Sequence, residues 1–413
     1  MNQKQIIGLG VAAVLLMAVA VFVSQSRKPV QEAPSAGPLA AGLQAQLNAL
    51  DSVVVRVAGG ETITLKRVDS TWIVPEKHAF PADIAKLREL LLNVAQARRI
   101  EPKTAVASSY PVLGVQDIDA EGASNVLLQI GSGASAVEVI LGQNNSRGVG
   151  TFVRLKGEAQ SWLVDRNLAA ERTAGDWLRR DLLDIAANRI TSIKVQPDEG
   201  DEVQIQANTE GGEGEFRLAY LPAGRELASA FVVDATAGVL SGLRLDDVQP
   251  AAGFTPDEGS ETTKASFETR EGINLDLEAW TLEGETWARI AVSLDQAAAD
   301  QRIEGEQARE AMAYEAALKA TQLPATDPAN AATDGATPAD GAAEEAPATT
   351  AVEPPEPPLA VSDAAADRAE RLNKLQAEVS ALQATVDGWV FKLPASKAES
   401  LRRSMDAYLK PKA

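Results

Sequence analysis

The hydrophobic pattern of the chain opens with one long apolar segment. Residues 6–23 run for 18 positions without a charged side chain, with basic residues on both sides. This length lies in the range of a membrane-spanning helix, whereas the apolar region of a signal peptide is about 7–15 residues long. We therefore predict an uncleaved transmembrane helix that associates the protein with a membrane, with the amino end inside and the bulk of the chain translocated. Cleavage is the alternative, because residues 18–20 and 24–26 carry small side chains at the spacing of a cleavage site.

Apolar and polar residues then alternate with the period of a β-strand. A proline-containing stalk and entry segment, residues 29–50, leads into three strand patterns, a helix that starts near Asp83, and four further strand patterns. One face of the helix carries Ile84, Leu87, Leu91 and Val94. The strand patterns lie at residues 53–57, 63–67, 70–74, 126–130, 137–141, 151–155 and 161–164.

The same order of patterns restarts near Ile190. A shorter helical segment, residues 234–242, precedes Pro250, as the first helix precedes Pro102. We therefore predict two copies of a strand–strand–strand–helix–sheet unit. Two dissimilar α+β domains are the alternative. The strand patterns of the second copy lie at residues 190–195, 203–205, 216–218, 264–269, 273–280 and 286–292.

The composition changes after Leu294. Residues 296–322 are rich in Ala, Glu and Arg and predict a helix. Residues 324–358 hold eight prolines, seven acids and no base, which predicts disorder. The next helix should fold back on the first as a hairpin, with homo-oligomeric coiling as the alternative. A short strand, residues 389–393, and a last helix follow. The heptad seam consists of Leu372, Leu375, Val379, Leu382, Val386 and Trp389.

These patterns predict an α+β fold class. An N-terminal transmembrane helix precedes two tandem, duplicated antiparallel β-sheet/helix units and a C-terminal helical hairpin with a disordered loop. The predicted divisions are a membrane anchor (1–28), a stalk and entry segment (29–50), a first unit (51–188), a second unit (189–295), a helix (296–323), an Ala/Pro/acidic loop (324–362) and C-terminal helices with a short strand (363–413).

Composition excludes several classes of function. The 413 residues include 58 acids and 39 bases, a net charge of −19, which argues against nucleic-acid binding because phosphate contacts need clustered Lys and Arg. Seven of these negative charges lie in residues 324–358. The absence of cysteine excludes thiol catalysis, iron–sulfur clusters and zinc sites with Cys ligands. Export is still compatible with a chain that has no disulfides.

Candidate chemistry is sparse. His78, the single histidine, precedes the first helix in a loop, where a solvated turn residue is expected. Residues 131–136 match G-x-G-x-x-A, but the following residues predict a strand rather than the helix that a dinucleotide site needs. We expect the acid pairs to be solvated, the Arg179-Arg180 pair to join an ion-pair cluster, and four tryptophans to lie in the core or in cross-strand pairs. We therefore predict no catalytic, cofactor-binding or metal residues. The acid pairs include Asp246-Asp247, Asp181 with Asp184, and Glu199 with Asp201 and Glu202, and the tryptophans are Trp72, Trp162, Trp280 and Trp287.

Three segments carry a resemblance to a known family. Residues 70–75 (STWIVP) lead into residues 81–83 (PAD), residues 148–154 (GVGTFVR) precede a second Trp strand, and residues 177–185 (WLRRDLLDI) lead into the restart. With this order of elements, residues 53–294 and 388–409 resemble a domain-of-unknown-function family of membrane-anchored bacterial proteins. The acidic insertion at 324–358 departs from that family. Members are often encoded beside gliding-motility-type ABC transporter components, so the resemblance implies an inner-membrane location and a permease or extracytoplasmic subunit as partner, but no catalytic residues.

Three functions remain as hypotheses. The first is a non-catalytic, membrane-anchored, extracytoplasmic accessory or scaffold protein associated with an ABC-type transport system. The second is a general cell-envelope module that binds peptide or polysaccharide through its sheets. The third is a hydrolase that uses carboxylates alone.

Overall fold

The computed structural model describes residues 37–208, 215–256, 259–322 and 355–411. The chain divides into two compact units, one ending at Arg179 and the other beginning at Arg180. Each unit is built around an antiparallel sheet of its own.

The described part of the first unit contains nine strands and three α-helices. The strands are β1 (Ser52–Val57), β2 (Thr62–Val68), β3 (Thr71–Val74), β4 (Phe80–Pro81), β5 (Arg99–Pro102), β6 (Val126–Ile130), β7 (Val137–Asn144), β8 (Thr151–Leu155) and β9 (Ser161–Val164). The helices are α1 (Leu43–Gln46), α2 (Ile84–Gln96) and α3 (Tyr110–Leu113).

The first sheet runs in the order β4-β3-β2-β1-β6-β7-β8-β9-β5. Its register places Val53 opposite Leu65 and Ile130, and all three side chains are buried. Val55 is also buried, two positions along the same strand. Because side chains alternate between the faces of a sheet, these residues form one apolar layer.

Helix α2 contributes an apolar face to the same core. Asp83 caps the helix, since its carboxylate accepts a 3.0 Å hydrogen bond from the backbone N–H of Lys86. Ile84 was expected on the buried face but is 46% exposed, because it occupies the first helical position beside the cap. The buried residues of α2 are Leu87, Leu90, Leu91, Val94 and Ala95.

The described part of the second unit contains ten strands and five α-helices. The strands are β10 (Asp181–Leu183), β11 (Ile190–Pro197), β12 (Val203–Ala207), β13 (Phe216–Leu218), β14 (Leu243–Arg244), β15 (Asp247–Pro250), β16 (Thr262–Thr269), β17 (Ile273–Leu282), β18 (Glu285–Leu294) and β19 (Trp389–Lys392). The helices are α4 (Ala230–Ala237), α5 (Gln296–Gln322), α6 (Leu359–Ser362), α7 (Ala364–Val386) and α8 (Ala395–Leu401).

The two large sheets share one strand order. The second sheet runs β13-β12-β11-β16-β17-β18-β19-β15, and the first runs β3-β2-β1-β6-β7-β8-β9-β5 with β4 added at its edge. Strand β11 thus corresponds to β1, β16 to β6, and β19 to β9. Strands β10 and β14 form a separate two-stranded sheet.

Each unit also ends in the same way. In the first unit, the backbone of Trp177 accepts a 2.8 Å hydrogen bond from the N–H of Asp83, next to the start of α2. In the second, Tyr408 accepts a 2.8 Å bond from the N–H of Ala228, just before α4. Both aromatic side chains are completely buried. We call these closing segments, residues 173–179 and 404–410, the straps.

Helices α5, α6 and α7 are inserted between β18 and β19. Charged side chains join α5 to α7: Arg371 contacts Glu310 at 2.8 Å and Glu306 at 3.0 Å. The guanidinium of Arg302 then pairs with two carboxylates. Its nitrogens lie 2.7 Å from an oxygen of Glu306 and 3.0 Å from an oxygen of Glu271, in the β16–β17 turn. This ion-pair chain attaches the helical insertion to the sheet of its own unit.

The heptad seam of α7 contacts the second sheet. Val379 and Val386 are buried, and the side chain of Gln383 donates a 2.8 Å hydrogen bond to the carbonyl of Val292 in β18. Homo-oligomeric coiling through this seam stays a prediction. Most of the predicted 324–362 loop lies outside the described residues, and its last residues form α6.

Acidification is expected to weaken this attachment. Burial opposes ionisation of Glu271, but a hydrogen bond from Arg302 and the charge of Arg189 outweigh it and hold the Glu271 pKa below its ordinary 4.5. A carboxyl whose pKa is lower in the folded state stabilises the fold above its unfolded pKa, and the stabilisation is lost as pH falls through the folded value. We therefore expect the urea midpoint of the second unit to fall from pH 5 towards pH 3.

The matched control for this pH dependence is Glu271→Gln, which keeps the shape of the side chain but cannot titrate. The stability difference between the natural chain and the variant should be largest at neutral pH and should shrink on acidification. A difference that stays constant with pH would contradict the role of Glu271. Asp367 should contribute to the same loss of stability on acidification. Hydrogen bonds from Gln307 and Arg371 outweigh its burial and lower its pKa.

The fold class requires one correction. No helix among the described residues is long and apolar enough to cross a membrane. The longest, α5, carries charged side chains along its length, among them Arg302, Glu306 and Glu310, which are costly in hydrocarbon. The predicted span at 6–23 lies outside the described residues. The N-terminal transmembrane helix is therefore not supported, and the structure shows mostly antiparallel sheets with several helices.

Candidate functional site

The second sheet has one apolar face and one polar face. Alternate residues of its central strands, such as Ile193, Phe267 and Leu275, are completely buried, and α7 packs against the sheet at β18. The intervening residues point to the opposite face and are mainly polar. This distribution is the usual pattern for an antiparallel sheet that is covered on one side.

The polar face contains two cross-strand rows of four residues. A cavity of about 420 Å³ lies over them. We call these eight residues the open face. In the first row Lys194, Ser266, Asp276 and Ala291 lie opposite one another, and in the second row Gln196, Lys264, Glu278 and Arg289 do so.

Most charges of the open face are paired. Lys264 lies 3.9 Å from Glu278, and Ser266 donates a hydrogen bond to Asp276. Arg289 differs, because its guanidinium lies over the ring of Trp280, 5.5 Å from the centroid, and has no carboxylate within 4 Å in the described part of the chain. Within the described ranges, Arg289 is therefore the exposed cation of the open face that has no carboxylate partner, since Lys194 pairs with Glu268 and Lys264 with Glu278.

The corresponding face of the first sheet is covered. Its equivalent row consists of Arg56, Leu127, Ile140 and Arg154. The equivalence follows from the register, since eight positions separate Val55 from its partner Ile63, as they separate Val195 from Val203. Residues 103–125, which connect β5 to β6, cover this row: Tyr110, Val115 and Ile118 pack against Leu127 and Ile140.

The matching connection in the second unit is shorter. Residues 251–261 join β15 to β16, and the ring of Phe254 packs 5.4 Å from that of Trp280 and 6.2 Å from that of Trp287. The described part of this connection thus packs at the tryptophan end of the sheet. Lys194, Lys264 and Arg289 stay exposed beyond it.

The residues that were weighed for chemistry do not form a catalytic cluster. His78 is exposed in a left-handed turn with φ of 56°, and residues 131–136 lead into strand β7 rather than a helix. Asp181 pairs with Arg244 at 3.2 Å, and Asp184 accepts a 2.8 Å hydrogen bond from the backbone of Gly242. Within the described ranges, no group of three or more His, Cys, Asp or Glu side chains could hold a metal ion.

The tryptophans and the arginine pair occupy structural positions. Trp280 lies directly opposite Trp287 in the register of β17 and β18, and Trp162 is buried under the guanidinium of Arg99, 5.2 Å from its ring. Trp72 is half-buried in β3. The backbone N–H of Arg179 bonds the carbonyl of Pro81 as part of the strap.

Sequence reasoning did not identify the open face. The local signal was present, because Lys264, Ser266 and Glu268 alternate with buried residues along β16, and Asp276 and Glu278 do so along β17. Such alternation predicts a solvated strand face wherever it occurs. Only the comparison of the two sheets shows that one face is covered and the other is not.

Comparisons with known proteins identify one domain. No curated protein and no solved structure matches the chain. Residues 72–263 match the model of a family described as "Domain of unknown function (DUF4340)". The match begins in β3 of the first unit and ends in β16 of the second. A DUF4340 domain is therefore present in this chain.

Proposed function

We propose that the protein is a non-catalytic accessory or scaffold protein, and that the open face of its second unit binds a partner protein. The observation that carries this proposal is the difference between the two sheets. The chain covers the row of Leu127 and Ile140 in the first sheet with its own residues 103–125 and leaves the equivalent row of the second sheet exposed.

The chemistry of the open face favours a reversible interaction. Seven of its eight side chains are polar or charged, and Lys264 lies opposite Glu278 across the strands. Interfaces of this kind are wet and rely on electrostatic complementarity more than on apolar burial. A scaffold that holds and releases a partner fits these properties.

The proposed partner is a component of an ABC-type transport system, either a permease or an extracytoplasmic subunit. The family resemblance of residues 53–294 supports this part of the proposal. It also supports an extracytoplasmic location at the bacterial inner membrane. Across the residues that the structure describes, the side chains considered for chemistry do not cluster, which is compatible with a scaffold.

A bulky substitution on the open face should prevent partner binding. Ala291 is exposed in β18, so Ala291→Trp places an indole over the first row and should leave the apolar face intact. We expect the tagged natural chain to co-purify with transport components from its native cells in mild detergent, and the variant to recover about tenfold less, a loss of roughly 1.4 kcal/mol.

The matched control is Ala377→Trp, the same substitution at an exposed alanine of α7. It should recover as much partner as the natural chain. Purification of the natural chain without any transport component would contradict the proposed partner. Equal recovery by the natural chain and Ala291→Trp would contradict the open face as the binding surface.

A further inference from the structure

Arg154 and Arg289 occupy equivalent positions in the two sheets. Arg154 lies in β8, opposite Ile140, and Arg289 lies in β18, opposite Glu278. Both therefore occupy the fourth position of the equivalent four-residue rows, on the face of the sheet that faces away from the apolar layer. The internal repeat allows the contacts of one arginine to be compared directly with those of the other.

In the first unit, Arg154 holds a segment of polypeptide on the sheet. Its Nε donates a 2.8 Å hydrogen bond to the carbonyl of Val115, and its Nη2 pairs with the carboxylate of Asp117. The guanidinium also lies over the ring of Tyr110, 4.6 Å from the centroid. A carbonyl, a carboxylate two residues later and an aromatic ring thus come together on one arginine, which is 4% exposed.

Among the described residues of the second unit, Arg289 has one of these three kinds of partner, the aromatic ring. The ring of Trp280, from the neighbouring strand, takes the place of the Tyr110 ring. No carbonyl or carboxylate bonds Arg289 among the residues that the structure describes. Arg289 is exposed beside this ring and lies among the residues that line the cavity over the open face.

We propose that Arg289 anchors a polypeptide segment of a partner protein, by binding a main-chain carbonyl and an Asp or Glu side chain of that segment. Arg289 would thereby do in trans what Arg154 does within its own unit. This inference rests on the proposed function, because it assigns the partner contact on the same open face.

The rest of the row defines the character of the partner segment. Lys264 and Glu278 stand where the first unit has Leu127 and Ile140. An apolar partner side chain above them would remove two charges from water and offer them no new hydrogen bond in exchange. The partner segment is therefore acidic at Arg289 and polar along the row, and its binding depends on salt concentration.

The probe for this inference is a library of short random peptides displayed for selection against the full chain. Peptides that also bind the Ala291→Trp chain are discarded, so that the survivors require the open face. We expect survivors to contain Asp or Glu. Changing that acid to its amide should weaken binding about tenfold or more, because a charge-assisted hydrogen bond is lost.

The decisive variant is Arg289→Gln, with Arg289→Lys and Lys194→Gln as controls. Arg289→Gln should weaken binding of the acidic peptide as much as the change of its acid to the amide does. Combining the two changes should weaken binding little further. Lys194→Gln should have a small effect, and Arg289→Lys should retain part of the binding, since the charge remains but the planar fork is lost.

The outcomes separate the two proposals. Peptides that need the open face but tolerate Arg289→Gln would overturn the anchor and leave the proposed function standing. Failure to select any peptide that Ala291→Trp blocks would overturn the anchor together with the assignment of the open face. Thermal unfolding of each variant, expected to be unchanged at these exposed positions, checks that lost binding does not reflect lost folding.

Discussion

Trp177→Ala is expected to lower the free energy of unfolding of the first unit by about 3–5 kcal/mol, the usual cost of removing a large buried aromatic side chain. The Trp177 side chain is completely buried, and its indole N–H donates to the carbonyl of Glu171 at 3.2 Å. The strap that carries it also bonds the backbone next to the start of α2. Its loss should therefore release both the strap and the first turn of α2.

Hydrogen exchange with peptide resolution measures this effect where it occurs. Amides of residues 81–86 and 173–179 should lose most protection in Trp177→Ala, whereas Trp177→Phe should keep part of it. The equivalent change in the second unit, Tyr408→Ala, should act on residues 226–230. Tyr408→Phe should cost only about 1 kcal/mol, because it removes one 2.8 Å hydrogen bond to Thr236. A loss below about 1 kcal/mol for Trp177→Ala would show that the strap does not support its unit.

Arg154→Met is expected to destabilise the first unit by about 2–3 kcal/mol. Methionine fills much of the same volume but leaves the carbonyl of Val115 without its donor in a buried site. The ion pair with Asp117 contributes less, since the Asp117 side chain is 72% exposed. The loss should appear as faster exchange across residues 103–125 before any change in the sheet itself.

The matched control for Arg154 is Arg56→Met, at the other end of the same row. Arg56 is partly exposed and pairs with Asp119 at 3.3 Å, so its removal should cost at most about 1 kcal/mol. Equal effects of the two variants would contradict the role of Arg154 in holding the covering segment. That result would also weaken the comparison on which Arg289 was identified.

Local patterns in the sequence predicted local structure well. The run at 53–57 is strand β1, the alternation at 273–280 lies in β17, and the short strand after Gly388 is β19. Helix α2 begins beside Asp83, where the pattern placed its start. In each case the signal lies within a few residues of the element that it specifies.

The pairing of strands that are distant in the sequence could not be predicted from local patterns. The pattern at 389–393 predicts a strand but contains nothing that selects β15 and β18 as its neighbours. No helix or strand was predicted in residues 103–125, yet they cover Leu127 and Ile140 through Tyr110 and Val115. The open face also depends on contacts between distant parts of the sequence, because a sheet face stays exposed where the connecting segment is too short to cover it.

The position of β19 also determines the order in which the second unit can be completed during synthesis. Strand β15 pairs along its whole length with β19, and β18 pairs with it in part, so neither can finish its ladder until residues 389–392 have left the ribosome. At about 5–20 residues per second, the chain between β18 and β19 takes several seconds to produce. During that interval the long edge of β18 is open to pairing with other chains. A second unit interrupted before β19 therefore exposes this edge to aggregation.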